Sequence, residues 1–577
     1  MKFSFCMIFI VLLTTFAGCK HVYGPEEKTK DIAALLHLNE NQRQAHLTGS
    51  AKMLVNEIAD TMITVSRGQV HKNSNEEIYN RFNNYFASVE YIKWDDLEEP
   101  VINISDDGTF AEMIVKKIIL AKYKNEKGEW EKGATLFSWS ATHKKINNRW
   151  KIISNTSTRE DLEYSTYDEY YNKGIEAFKN KRYNEYLYNL ERAYYITPDN
   201  VTILYDYARA LTANDNFQKA FSILTRLADI RFIGLDNFEK EEIFKKLKDE
   251  SGYKNLLDKI SKNKKPIHNS DTAFTITEKD LVPEGLAFDN NTGTLYISSA
   301  YKRKIISIDK NGNIKDFKNE AEDRLWSTWG MEVDETRNHL WVLSSNTTEG
   351  MITQIPDNKN DGMCRVYKYD TVTGKLLKIY NYKKENEKHF FNDLTVGKSG
   401  DVYITESLTS KIYKISKEKD EIELLYQADP MFFFLNGLAL NENESKLFVT
   451  SSEGISVLDL KTLNWQLLQI PKDVCLEGID GLTFYKETLI AQQSGHPNNS
   501  IMQYTLDPTN YKIAGAKILE ANNPVFDSAT TGEIGGDYYY YITNSQVRTA
   551  FTWGANGPQN IKPLNALNDI VILKVKL

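Results

Sequence analysis

The sequence predicts a multidomain chain made of an α+β unit, a stretch of α-helical repeats and an all-β six-bladed propeller. Three observations carry this. Helix-period segments give way to alternating strands over residues 28–160, small residues recur at a fixed period over 163–264, and one strand phrase returns with variation from 272 to 577. At 577 residues the chain is also too long for one ordinary core.

Residues 1–19 read as a targeting segment: one lysine, an apolar run from Phe3 to Phe16, then small residues. Phe16-Ala17-Gly18-Cys19 resembles a bacterial lipobox, which implies lipidation of Cys19 and a body tethered to the cell envelope on its periplasmic or extracellular side. Cleavage after Ala17 and secretion is the alternative. No later stretch has the roughly 18 apolar residues of a membrane-crossing helix. With 41% hydrophobic and 26% charged residues, the whole sequence has the composition of a soluble globular protein. A net charge of −8 gives no basic surface for nucleic acid. Of four cysteines, Cys364 and Cys475 lie outside the targeting segment, either paired in an oxidising compartment or separately buried. No HxH or HExxH spacing exists, so any metal chemistry is expected to use oxygen ligands.

Over 28–160, "NQRQAHLTGSAKMLVNEIADTMITVSRGQV" and "NEEIYNRFNNYFASVEYIKWDDL" read as helices leading into strands, and "TFAEMIVKKIILAKY", "ATLFSWSATHKK" and "RWKIISNTSTR" as strands. The layout resembles the SnoaL-like, ketosteroid-isomerase-like cone, in which a curved sheet wraps around helices. His46, Asp60, Trp94 and Asp95 either line a pocket there or serve as caps and core edges.

Over 163–264, Gly174 and Ala208 stand 34 residues apart, as do Ala193 and Leu227, and Pro198 ends a helix. Small residues recur where paired helices cross closely: Gly174, Ala193, Ala208 and Ala220. The register resembles the tetratricopeptide family over about two repeats, with large residues such as Tyr186 where smaller ones are usual. That resemblance implies a docking arm for a protein partner, or a spacer. Residues 261–271, "SKNKKPIHNSD", read as a linker.

In the last unit the recurring phrases are "GTLYISS", "NHLWVLSS", "GDVYITES", "SKLFVTSS", "ETLIAQQ" and "DYYYYITNS". Their equivalent positions, Tyr296, Trp341, Tyr403, Phe448, Ile490 and Tyr541, are 45, 62, 45, 42 and 51 residues apart, the length of a four-stranded blade with insertions. A shorter strand precedes each phrase and is expected to line the central channel. Aligned, these inner strands give the column Glu284, Trp329, Asn392, Asn436, Asp480 and Ala529. Radial symmetry brings the column to the axis at one face. Two carboxylates and two amides form a hard oxygen set suited to calcium or another divalent cation; the alternative is that they bind only water. The C-terminal "DIVILKVKL" and "TAFTITE" at 272–278 lack local partners and are expected to complete the last blade together.

"PEGLAFD", "FNDLTVG", "LNGLAL" and "IDGLTF" resemble the blade starts of the senescence marker protein, gluconolactonase and luciferin-regenerating-enzyme family, and more distantly paraoxonase. The resemblance covers 272–577 and implies a calcium-dependent hydrolase of lactones or related esters. By position it implies Glu284, Asn436 and Asp480 as metal ligands, Asn392 at the metal or the substrate, and Asp480 also as general base. A metal-bound aspartate is a weak base, so His389 is a second candidate for proton transfer. Loops on the ligand face offer Tyr301, Arg303, Glu406, His496, Asn544 and Arg548, with the insertion 345–363 as a lid or a plain surface loop. Phe390 stands where such enzymes carry a substrate-binding arginine. "MFFFL", 431–435, crowds apolar groups before Asn436; if part of it faces the mouth, the ligand is less polar than a sugar acid. Two functions remain in view: a membrane-anchored lactonase-like or esterase-like hydrolase, and a non-catalytic propeller whose metal serves stability and which acts in recognition.

Overall fold

A computed structural model describes residues 23–346, 357–494, 499–554 and 557–577, so Cys19, His496 and much of the insertion 345–363 lie outside the described residues. The chain forms two compact units, residues 1–165 and 166–577.

The first unit is α+β. Its seven-stranded sheet runs in the order Gln69–Ser74, Ile58–Ser66, Arg149–Asp161, Trp130–Ile146, Phe110–Lys124 and Val89–Asp96, with Val101–Ile104 also on Phe110–Lys124. Helices Pro25–Leu47, Ala51–Asn56 and Asn75–Phe86 share its core: Leu35, Leu38, Val55 and Ile78 pack with Trp94, Trp139 and Trp150. Ser74 and Glu77 form a reciprocal cap that starts the third helix. His46 stacks on Trp94 at 4.3 Å, and burial pushes its imidazole down to about 4, which keeps it neutral. Asp95 accepts from Arg43 Nε at 2.7 Å, while Asp60 is exposed on its strand. Three of the four residues named from the sequence thus serve this unit's core edge.

In the second unit, helices Tyr167–Lys179, Tyr183–Ile196, Val201–Ala213 and Phe217–Asp229 make two pairs, followed by two short 3-10 turns and helix Tyr253–Asn263. The small-residue pattern has a direct cause at Gly174, where a β-carbon would stand 2.2 Å from Leu190 Cδ2. Tyr186 fits beside that gap, fully buried, and its hydroxyl donates to the Asp206 carbonyl at 2.9 Å. The stretch expected as a linker is fastened. Ile267 exchanges both backbone bonds with Ala521, and the Asn269 and Ser270 amides donate to Glu520 at 2.9 and 3.1 Å. A backbone so paired cannot act as a free tether.

Six four-stranded antiparallel sheets follow. Their inner strands are Leu286–Asp289, Ser327–Asp334, Phe391–Val396, Leu438–Leu440, Ile479–Tyr485 and Gly532–Gly535, numbered here as blades 1 to 6. Blade 6 contains the C-terminal strand Ile570–Lys576 between Tyr538–Ile542 and the first strand, Ser270–Ile276. The two orphan strands of the sequence therefore pair with each other and close the ring by completing blade 6. Among the described residues no helix is long and apolar enough to cross a membrane.

Candidate functional site at the propeller mouth

The column residues owe their orientation to broken pairing. In blades 2, 3 and 5 the inner-strand register shifts between Thr328 and Met331, Phe391 and Leu394, and Ile479 and Leu482. Each interval holds the column residue, and a bulge re-aims the side chain it carries. Glycine after the column residue lets adjacent inner strands close on the axis. A β-carbon on Gly437 would lie 2.5 Å from the Asp480 carbonyl oxygen, and one on Gly285 2.0 Å from that of Trp329. Blade 3 has Asp393 there instead, and its carboxylate occupies the place of the missing Gly330 side chain, 2.3 Å from that β-carbon position.

Glu284, Asn436 and Asp480 are brought together. Asn436 Nδ2 donates to Asp480 Oδ1 at 2.8 Å, and Ser545 Oγ donates to Glu284 Oε1 at 2.8 Å. Burial holds the Glu284 carboxyl well above the usual carboxylate range, and the charge of Asp480 raises it further. Burial also pushes Asp480 up to about 6, against the pull of the Asn436 bond and of the Arg548 charge. Asn392 is one step removed. Its Nδ2 donates to Ser407 Oγ at 3.0 Å, and that hydroxyl donates to the Leu435 carbonyl at 2.6 Å, next to Asn436. Trp329 and Ala529, the other column members, are buried.

Two carboxylates in one half-buried place repel unless a proton or a cation separates them. The donor types, two carboxylates and an amide, fit a hard divalent ion, and the Asn436 nitrogen is already engaged by Asp480. Among the described residues no group of three or more His, Cys, Asp or Glu is placed to hold a metal. Amide, backbone or water oxygens would have to complete the shell.

The remaining sequence candidates separate sharply. His389 has no exposed surface; its ring lies 3.6 Å from Glu406 and 3.5 Å from Glu387, and edge-on to Tyr382 at 5.0 Å. A ring so enclosed cannot exchange a proton with a substrate at the mouth. Glu406 is equally buried and accepts the Phe390, Leu408 and Thr409 amides, so it organises a turn. Phe390 packs edge-on to Trp329 at 4.8 Å within the core. Asn544 is buried and bonds the Asp569 carbonyl and the Val571 amide, tying two strands of blade 6. These four are interior supports and not substrate contacts. Arg303 is partly buried with a left-handed φ of 54°, and Tyr301 packs on Phe551 at 5.9 Å. Arg548 is exposed and its charge reaches both carboxylates.

Two contributors were missed by sequence reasoning, Ser407 and Ser545. A signal existed, because a serine recurs at the end of the second strand of the blades. Ser345, Ser407 and Ser545 each donate to the start of the next blade's inner strand, at Phe391, Leu435 and Glu284.

A cavity of about 260 Å³ enters the channel away from the column. Glu332, Asp393, Glu533, Thr395 and Thr483 line it. Burial pushes Asp393 up to about 8 and Glu533 up to about 7, so this part of the channel holds protons that free carboxyls would release near neutrality.

Fold and site together define a six-bladed propeller with an acid–amide centre at one mouth. No protein-family model matches the chain, and no curated protein matches it. Solved structures do. A luciferin-regenerating enzyme is similar at 13% identity and TM-score 0.37, over 54% of this chain and 96% of that one. A gluconolactonase from Xanthomonas campestris is similar at 12% identity and TM-score 0.35, over 52% and 89%. A calcium-binding regucalcin from Agrobacterium tumefaciens is similar at 12% identity and TM-score 0.36, over 53% and 93%. Identities this low transfer no residue role and no activity.

Proposed function

We propose that the propeller is a divalent-cation-dependent hydrolase of lactones or related esters, with calcium held by Glu284, Asn436 and Asp480 and with Asn392 beside it. The observation that carries this reading is the half-buried like-charge pair, Glu284 with Asp480, whose mutual repulsion a cation would relieve. When bound, the ion would polarise an acyl carbonyl and stabilise the oxyanion. The chain's own residues do the rest. Asn436 orients the Asp480 carboxylate through Nδ2, and that carboxylate would both contribute to the ion's shell and receive the proton of attacking water. Ser545 fixes Glu284, and Arg548 supplies positive charge at the open side, where a product carboxylate develops.

A tether through lipidated Cys19, a SnoaL-like fold for residues 28–160 and a tetratricopeptide-like docking arm over 163–264 belong to the same proposal. It describes an envelope-anchored enzyme with two accessory units.

The test is a panel of lactones and aryl esters assayed with purified protein in calcium and in chelator. Chelator-sensitive turnover that disappears in Asp480→Ala supports the reading. Turnover indifferent to chelator, or full activity in that variant, removes it.

A second reading, a recognition propeller, is favoured by one observation. The helical arm is fastened to loops on the mouth face, where Thr197 donates to Glu453, the Val201 amide donates to Glu477, and Arg226 Nε donates to the Lys472 carbonyl. An arm placed there suits presentation of a partner to the mouth. A centre that binds calcium while the whole panel stays unreacted selects this reading.

A further inference from the structure

The apolar run 431–435 divides in two. Phe432 and Leu435 are 3% and 0% exposed, and Phe432 packs edge-on to Trp465 at 5.5 Å. Phe433 and Phe434 are 51% and 47% exposed. They lie on the connection between blades 3 and 4, which arrives at the mouth face directly before Asn436. Antiparallel connectivity fixes this. Inner strands start at the mouth, so the preceding connection and each second-to-third-strand turn share that face.

Two features show that the exposure is built. Phe434 has φ 57°, a left-handed conformation that a bulky side chain rarely adopts and that asparagine or glycine would hold at less cost. The loop is also pinned from both sides. The Ser452 amide donates to the Phe433 carbonyl at 3.0 Å and its Oγ to the Met431 carbonyl at 3.2 Å, while Ser407 Oγ holds the Leu435 carbonyl. Ser407 is the hydroxyl that bonds Asn392, so the aromatic pair and the candidate ligands are parts of one hydrogen-bonded frame. Its neighbour Leu408 adds a third exposed apolar side chain, 38% exposed. A strained backbone that persists because its surroundings over-determine it points to use of the side chain it presents.

We propose that Phe433 and Phe434, with Leu408, form an apolar platform that selects the substrate: a lactone or ester carrying a hydrocarbon or aromatic substituent, and not a polyhydroxylated sugar lactone. This rests on the hydrolase reading, and it commits the exposed aromatics to one occupant, the substituent of a ligand whose acyl group lies at Asn436 and Asp480. Phe433, Phe434 and Leu408 carry no side-chain hydrogen-bonding atom, so hydroxyls of a sugar covered by them would lose water without a replacement partner, whereas a hydrocarbon substituent gains by the same burial.

The experiment compares wild type with the double variant Phe433→Ser, Phe434→Asn in calcium, using γ-lactones with alkyl substituents from methyl to heptyl and gluconolactone. Asparagine tolerates the left-handed backbone, so the variant is expected to fold with an undiminished melting temperature. In wild type, kcat/KM should rise about fourfold per added methylene until the platform is covered. In the variant that slope should flatten. In parallel, calorimetry measures binding of the alkyl lactams, non-hydrolysed analogues of the same series. Turnover without chain-length dependence, or with gluconolactone preferred, overturns the platform and leaves the hydrolase. No turnover, but lactam binding that strengthens with chain length and weakens in the variant, keeps the platform and removes the hydrolase. Absence of both overturns both. Co-sedimentation with phosphatidylcholine vesicles that only the variant loses, without any lactam discrimination, reassigns the pair to a membrane surface and also overturns the platform.

Discussion

Asn436 of blade 4 donates its side-chain amide to Asp480 of blade 5 at 2.8 Å, between residues 44 positions apart in the chain. The bond orients a carboxylate that burial would otherwise keep protonated, and it does so with a neutral group. Replacing that neutral donor by a third acid is therefore diagnostic. Asn436→Asp adds negative charge to a pair that already repels, so in chelator its melting temperature should fall below that of wild type. In calcium the added ligand charge should tighten the ion by about an order of magnitude. Scanning calorimetry in both conditions measures the two shifts. Equal melting temperatures with and without calcium, in wild type and variant alike, would exclude an ion from the centre.

The channel carboxyls give a pH signature independent of the ion. Burial, with the Glu335 charge adding to it, pushes Glu533 up to about 7, while the Ile534 amide opposes the shift. Between the ordinary 4.5 and about 7 the folded chain keeps a proton that the unfolded chain has released. The folded state binds more protons there, so its stability falls as pH rises through that window and levels off above it. Glu332, also raised by burial and by Glu533, extends the decline upward. Glu533→Gln should flatten the profile and raise stability at pH 8 by roughly 2 kcal/mol. Urea titrations from pH 4.5 to 8.5 measure it; a variant profile parallel to wild type would mean that Glu533 titrates normally.

Cys364 and Cys475 are separate, free and buried, so the pairing that the sequence left open is not made. Burial pushes the Cys364 thiol up to about 12 and raises Cys475 as well. A polypeptide of residues 23–577 should show no thiol reactive to a disulfide reagent while folded, and two after denaturation without reductant. Cys475 packs in the helical core although it belongs to the connection entering blade 5. Cys475→Ser should therefore loosen the joint between arm and propeller at a cost of about 1–2 kcal/mol, because a polar hydroxyl replaces a thiol packed among apolar side chains.

What the sequence made legible follows from repetition. Six recurring strand phrases announce the ring, three inner strands that start with a polar residue and then a glycine, at Glu284, Asn436 and Asp480, announce its mouth, and two strands without neighbours announce the closure. Side-chain direction at strand ends was not legible. Glu406, Asn544 and Phe390 sit beside turns and bulges, where the period of two fails, and each turns inward to bond or pack. His389, named because a metal-bound aspartate is a weak base, also turns inward and is fully buried. The fastening of the helical arm was invisible too, since the Val201 amide meets Glu477 across 276 residues and no local pattern signals such a contact.

The closure and the candidate centre depend on each other. Glu284 belongs to blade 1, yet its carboxylate is held by Ser545 and its backbone carbonyl by Thr531 Oγ1 at 2.6 Å, both from blade 6. The seam between the two blades is also where the strand Ile570–Lys576 joins the chain's end to Ser270–Ile276. Ile572 is fully buried in that joint, and Ile404 is fully buried in blade 3, away from it. Truncating either to alanine should cost about 2–5 kcal/mol, since each leaves a cavity in a packed core. The two variants should differ in the ion. Ile572→Ala lets the seam shift and displaces Glu284 relative to Asp480, so calcium affinity measured by calorimetry should fall at least several-fold, while Ile404→Ala should keep the wild-type value. Equal affinities in two variants of matched stability would show that the centre does not feel the seam.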